Sequence, residues 1–443
     1  MPARSIRATA LLAILWAAYA AAIAAPQPAA SRPPLVFVSG MTGTQLVDPE
    51  SGRTVWGRGS NLFRPRDRGY SLALPLGPAA GDHPQSAYLA TGPLWDLRVL
   101  FWNKKVYRPL RDHFLAEGRR LGRLDTPQPG EDFFFFDYDW RRENVATAFE
   151  LAERLNALGR KRGARVEEPL PIDLICQSNA AKVCRYLVKY GAMSLSEAEA
   201  GAGRPPETYR IRKLILVGAS NGGALRTLDF MTRGRRYVPL VGRKISQETF
   251  FSIRPLFADL PLLRTDLFFD ETGTDLEVDL TDTRTWIEYG WSIFRPKPRR
   301  RLERRVRPDL FASSDHRLDY LETRLETASR MQRLLSRDAI GFASTRYYHL
   351  ENGSVPTAAR ALLHRGAKGW RIRLFDDGKV ARQPILRRLA VGKGDGHATL
   401  ASQRDLSHQE EAALAASRLI VGGHFEMIIE PEGLEALSDF LAD

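Results

Sequence analysis

Short runs of consecutive apolar residues recur along the chain, separated by stretches with helical spacing of apolar positions. The runs are Leu35–Val38, Phe133–Phe136, Ile172–Cys176, Leu214–Val217, Leu389–Val391 and Leu419–Val421. Successive residues of a strand point to opposite faces, so a strand that is apolar throughout is buried on both sides, as in a parallel sheet. Helical periodicity over Val106–Leu121, Val145–Gly163 and Ala180–Tyr190 places helices between these runs. The alternation predicts a layered α/β domain, a mostly parallel sheet flanked by helices.

Two stretches break this rhythm. Residues 43–100 are rich in Gly, Pro and aromatics with little periodicity, and residues 232–370 contain Trp286, Trp291 and an arginine cluster. Insertions of this size in a compact domain serve as lids or substrate walls. The first is read as a cap or membrane-facing insertion and the second as a lid. With 443 residues, 44% of them hydrophobic, the chain can bury a large core, and general disorder is not the expectation.

Residues 1–24 join a basic start, with Arg4 and Arg7, to an apolar run that closes on Ala22-Ile23-Ala24. That pattern predicts a secretory signal cut near Ala24; an uncleaved membrane anchor is the other reading. Either way residues 25–443 are expected outside the cytoplasm, periplasmic or secreted. The only cysteines, Cys176 and Cys184, flank Ser178 on a strand and a helix. They are expected to be small buried apolar residues, because a disulfide would have to fold the strand back on its own helix.

The net charge of +13 has a focus at Pro298–Arg307, which contains Arg299, Arg300, Arg301, Arg304 and Arg305. An exported protein seldom meets nucleic acid, so nucleic acid is not the expected partner. Two readings stay open: attraction to anionic lipid headgroups, worth about 1 kcal/mol per cation near the surface, and a solvated loop.

Candidate chemistry centres on Ser178. The strand ending at Cys176 runs straight into this serine and then into a helix, the strand–turn–helix that exposes a nucleophilic hydroxyl. Cys176 and Ala180 stand where glycines usually relieve the crowding. A literal G-x-S-x-G occurs at Gly218-Ala-Ser220-Asn-Gly222, but it falls one strand too late. Asp395, in the glycine turn Gly394-Asp-Gly396, is the candidate acid, and His424, after Leu419–Val421 and Gly422-Gly423, is the candidate base. His397 shares a tight loop with Asp395, and His408 sits in a capping-box pattern. The order Ser, Asp, His, each at a strand end, points to acyl transfer from an ester. Backbone N–H groups of Met41 and Asn179 are the expected oxyanion donors. No metal site is expected, since the eight histidines lack zinc-type spacing, and no cofactor is expected.

With those residues in place, the chain resembles the lecithin:cholesterol acyltransferase-like family of α/β hydrolases, which includes lysosomal phospholipase and phospholipid:diacylglycerol acyltransferases. The resemblance rests on Leu35-Val-Phe-Val-Ser-Gly-Met-Thr-Gly-Thr-Gln-Leu46, Asp137-Tyr-Asp-Trp-Arg141, Gly218–Leu225, Thr285-Trp-Ile-Glu-Tyr-Gly-Trp291 and Gly394-Asp-Gly-His-Ala-Thr399. It implies an α/β-hydrolase fold with lid and cap insertions, a lipid substrate, a membrane-facing insertion, and Trp140 in the acyl site. Against the family pattern, Ser39 replaces a Pro before Gly40, and Cys-Gln-Ser-Asn-Ala replaces Gly-His-Ser-Met-Gly. Three functions remain in play: a lipid-ester hydrolase or O-acyltransferase, an inactive hydrolase fold that binds lipid or a partner, and a small-substrate esterase.

Overall fold

A computed structural model describes residues 32–63, 67–76, 88–99, 102–203, 207–236, 242–295, 314–339, 345–367 and 369–443. The proposed signal segment 1–24 and the arginine cluster 299–305 lie outside the described residues. Residues Pro34–Asp443 form one compact unit.

Its centre is a seven-stranded sheet of β1 (Leu35–Val38), β2 (Leu121–Arg123), β3 (Phe133–Phe136), β4 (Leu170–Gln177), β5 (Tyr209–Val217), β6 (Arg346–Glu351) and β7 (Leu414–Leu419). The spatial order is β7-β6-β5-β4-β1-β3-β2, and every neighbouring pair is parallel. The apolar runs explain the layering. Val36, Val38, Phe134, Phe136, Leu214 and Leu216 enter one core, while Leu35, Phe37, Phe133, Phe135, Ile215 and Val217 enter the other. Helices α1 (Arg108–Ala116), α2 (Asn144–Lys161), α3 (Ala180–Tyr190), α4 (Leu225–Arg233), α5 (Ser314–Ser336) and α6 (Pro431–Ala442) cover both faces. Leu151, Leu155 and Leu187 of α2 and α3 fill the first core, and Leu110, Phe114 and Leu437 of α1 and α6 the second.

The structure corrects several expectations. The run Leu389–Val391 is not a central strand: Pro384–Ala390 is a helix, and Val391–Gly394 pairs antiparallel with Val355–Ala358 in a separate ribbon. The strand predicted at Leu419–Val421 ends at Leu419. The central strand β6 lies inside 232–370, where its sequence Arg-Tyr-Tyr-His-Leu-Glu carries charge into a buried place. Glu351 is tolerated there because Arg404 Nε donates to it at 2.5 Å and the Ser417 hydroxyl donates to its other oxygen. Trp286 and Trp291 pack edge to face at 5.6 Å and are fully buried.

Cys176 and Cys184 form a disulfide, against the expectation of two free thiols. The turn at Ser178 reverses the chain, so the start of α3 lies beside the end of β4 and brings the two Cα atoms to 6.6 Å. Closing so short a loop restricts the unfolded chain by about 2–3 kcal/mol. Reduction, or paired Cys176→Ala and Cys184→Ala substitution, is expected to lower unfolding stability by that amount. An unchanged urea midpoint under dithiothreitol would contradict the assignment.

Candidate active site

Ser178 follows β4 directly and sits at φ 56°, a left-handed conformation that non-glycine residues rarely adopt. Its N–H donates to Val217 O on β5 at 2.9 Å and its carbonyl accepts from Ala181 N at 3.0 Å, so both sides of the turn are tied down. Cys176 and Ala180 are fully buried and small enough for the crossing of strand and helix. The demand for glycine falls instead on the facing loop, where a Cβ at Gly40 would come within 2.8 Å of Ser178 Cβ.

The loop after β7 brings in His424. Its Nε2 lies 2.9 Å from Ser178 Oγ and its Nδ1 2.6 Å from Asp395 Oδ2. The ribbon strand Val391–Gly394 delivers Asp395, whose side chain is fully buried. The other carboxylate oxygen accepts the backbone N–H groups of His397 and Ala398, each at 2.8 Å. Burial pushes the Asp395 pKa up, but the His424 charge and hydrogen bond outweigh it and hold the carboxyl below its usual value. Burial likewise pulls His424 down, and the Asp395 charge and hydrogen bond more than reverse that. A base is useful only when unprotonated. Activity at this site is therefore expected above the folded pKa of His424 and lost as pH falls through it. The acid limb of kcat/KM should have its midpoint above the ordinary imidazole value of 6.5; a midpoint at or below that value would contradict the geometry.

The remaining sequence candidates fall around this trio. Asn179 is buried, and its side-chain amide exchanges two hydrogen bonds with Asn144 at the start of α2, 2.8 and 3.1 Å. That amide pair fixes the first residue after the turn. Met41 follows Gly40 and lines the same cavity as Ser178. The backbone N–H groups of Met41 and Asn179 donate to no acceptor among the described residues. Trp140 is buried and lines the cavity too; its Nε1 donates to Thr44 O at 3.1 Å, and Trp56 packs edge to face against it at 5.3 Å. The cavity holds about 470 Å³ and is walled mainly by apolar side chains, among them Trp56, Leu94, Leu97, Phe230 and Phe250. Among the described residues that line it, Lys104 and Arg235 are the only lysines or arginines, and no Asp or Glu does.

The literal motif has another role. Ser220 is fully buried and donates to Asp259. Gly218, at φ 53°, passes under the Asp395–His424 pair: a Cβ there would meet Met427 Cε at 2.6 Å and crowd Asp395 Oδ2 at 3.3 Å. His408 begins a helix capped by Ser407 and is 89% exposed. His397, set aside in the sequence as a loop neighbour of Asp395, also lines the cavity, its ring 4.8 Å from that of His424. Asp259, which holds it from behind, and Lys182, which pairs with Asp259, gave no local signal.

The strand order and the C-terminal placement of the cavity match a known architecture. The structure resembles a chain of the Tle4–Tli4 complex with a TM-score of 0.56 at 12% identity, over 93% of this chain and 99% of that one. The fold is that of the α/β hydrolases. Two further likenesses are looser. The mature lipase BlEst2 of Bacillus licheniformis gives a TM-score of 0.33 at 12% identity over 94% of each chain. EstA of Clostridium botulinum gives 0.36 at 13% over 93% of this chain and 87% of its own. No family model matches the sequence, and no curated protein does. The likeness to the lecithin:cholesterol acyltransferase-like family thus stands on the motifs alone.

Proposed function

We propose that the chain is an exported, serine-dependent hydrolase or O-acyltransferase of lipid esters, allied to the lecithin:cholesterol acyltransferase-like enzymes and working through an acyl-enzyme. One observation carries this reading: a single imidazole bridges a strained, turn-borne serine hydroxyl and a buried carboxylate, at 2.9 and 2.6 Å.

In this reading Asp395 keeps the proton of His424 on Nδ1, which leaves the Nε2 lone pair aimed at Ser178 Oγ. As Oγ bonds to the ester carbonyl carbon, Nε2 takes its proton, a step worth about 10²–10⁴-fold. The carbonyl oxygen becomes an oxyanion facing the unengaged N–H groups of Met41 and Asn179, each worth about 10²–10³. When the carbon–oxygen bond to the alcohol breaks, His424 returns the proton to the leaving oxygen. A water or a second alcohol then attacks the acyl-Ser178 ester by the reverse sequence. The apolar cavity beside Trp140 and Trp56 suits an acyl chain.

The test is covalent labelling with a fluorophosphonate followed by peptide mapping. An adduct on Ser178 is expected. No adduct on folded protein would favour the inactive lipid- or partner-binding fold, and an adduct on Ser220 would overturn the choice of nucleophile. Turnover of a lipid extract, with and without an added alcohol and with products read by mass spectrometry, separates hydrolysis from acyl transfer.

A further inference from the structure

One buried ionic cluster takes no part in the acyl transfer described above. Asp259, fully buried, accepts from Lys182 Nζ at 2.9 Å, from Thr227 Oγ1 at 2.5 Å and from the Ser220 hydroxyl. Lys182 is equally buried, so the two charges already balance each other. The same carboxylate lies 3.1 Å from His397 Nε2. His397 is not needed to neutralise Asp259, and burial, set against the pull of Asp259, holds its pKa below the ordinary value. Above that lowered pKa it is the neutral imidazole.

A neutral imidazole carries one N–H. The carboxylate oxygen facing Nε2 can only accept, so the proton sits on Nε2 and Nδ1 is left as a bare acceptor. Among the described residues no donor meets Nδ1. The side chain is 14% exposed, and the space it opens on is the cavity shared with Ser178 and His424. Its ring is held in place by Asp259 on one side and stacks on Phe230 at 6.4 Å on the other. An acceptor built this rigidly on a mostly apolar wall costs little to pair and is costly to cover with an apolar group.

Its position says which part of a substrate it meets. His424 must hand its proton to the leaving oxygen, so the alcohol portion of the ester lies against His424, and the His397 ring is the neighbour at 4.8 Å.

We propose that His397 is a specificity-determining residue whose Nδ1 accepts a hydrogen bond from a hydroxyl on the alcohol portion of the ester. The preferred acyl donors are then esters that keep a free hydroxyl close to the scissile bond, such as partial glycerides and other polyol monoesters, over fully esterified ones. This assignment rests on the reading of Ser178, His424 and Asp395 as the acyl-transfer site.

The experiment compares 2-hydroxyethyl decanoate with propyl decanoate, which differ by a terminal O–H in place of a methyl group. The kcat/KM values are normalised to the alkaline hydrolysis of each ester. The wild-type protein is expected to favour the hydroxyl ester about tenfold, since the site is partly open to water. In His397→Phe and in His397→Leu, neither of which offers an acceptor, the ratio is expected to fall to within about twofold of unity. A wild-type ratio near one, or a preference that persists in the folded variants, overturns the proposal. If circular dichroism shows the variants unfolded, 2-methoxyethyl decanoate decides with the wild type alone. That ester accepts but cannot donate, so it must be treated like the propyl ester, and treatment like the hydroxyl ester overturns the proposal. Turnover of none of the three esters would instead count against the proposed function.

Discussion

Ser178→Ala is expected to lower turnover of any ester substrate by about 10⁵–10⁶-fold, to the residual rate that binding and oxyanion donors supply without a nucleophile. The alanine should fold normally. It keeps the Cβ that already packs against Gly40, and it removes only an oxygen whose partner is the His424 ring. Ser220 cannot take over, because it is fully buried and its hydroxyl is committed to Asp259. The measurement is kcat in the purified variant alongside its melting temperature. Retention of more than about 1% of wild-type activity in a protein of unchanged stability would mean that another hydroxyl does the chemistry.

Asp395→Asn is expected to cost about 10⁴-fold in kcat with little change in structure. The direction follows from which oxygen does what. Oδ1 accepts two backbone N–H groups, from His397 and Ala398, so the asparagine must keep its carbonyl oxygen there. Its NH₂ group then faces His424 Nδ1, where the carboxylate oxygen was. A donor in that place forces the imidazole proton onto Nε2, and the lone pair that should receive the serine proton is gone. The variant also loses the charge that raises the His424 pKa, so whatever activity remains should titrate at lower pH than in the wild type. A loss under about tenfold, or an unmoved acid limb, would remove Asp395 from the mechanism.

The sheet and the candidate trio were legible because their signals are local. Strands buried on both faces announce themselves as unbroken apolar runs, and Ser178, Asp395 and His424 each come within a few residues after a strand. What was illegible depends on partners distant in the chain. Strand β6 looks polar because the residues that satisfy Glu351, Arg404 and Ser417, come 53 and 66 positions later. Asp259 lies 77 residues from Lys182 and 138 from His397, so its carboxylate reads as an ordinary surface group until the fold closes around it. The disulfide was missed for a geometric reason: strand and helix were treated as consecutive segments, whereas the tight reversal at Ser178 lays them side by side. The glycine motif at 218–222, set aside in the sequence because it falls one strand too late, has its own structural reason. Its first glycine is required by Met427, Asp395 and His424 packed above Gly218 rather than by its own serine.

The proposed base and nucleophile hang from very different parts of the sheet. Ser178 follows β4, which has β1 and β5 as neighbours, but His424 trails from β7, an outermost strand with mostly exposed side chains. Rims of a sheet open locally at lower free energy than the middle. On warming, the imidazole is therefore expected to leave the hydroxyl while the rest of the molecule is still assembled. Loss of esterase activity at a temperature below the calorimetric melting point is the expected result.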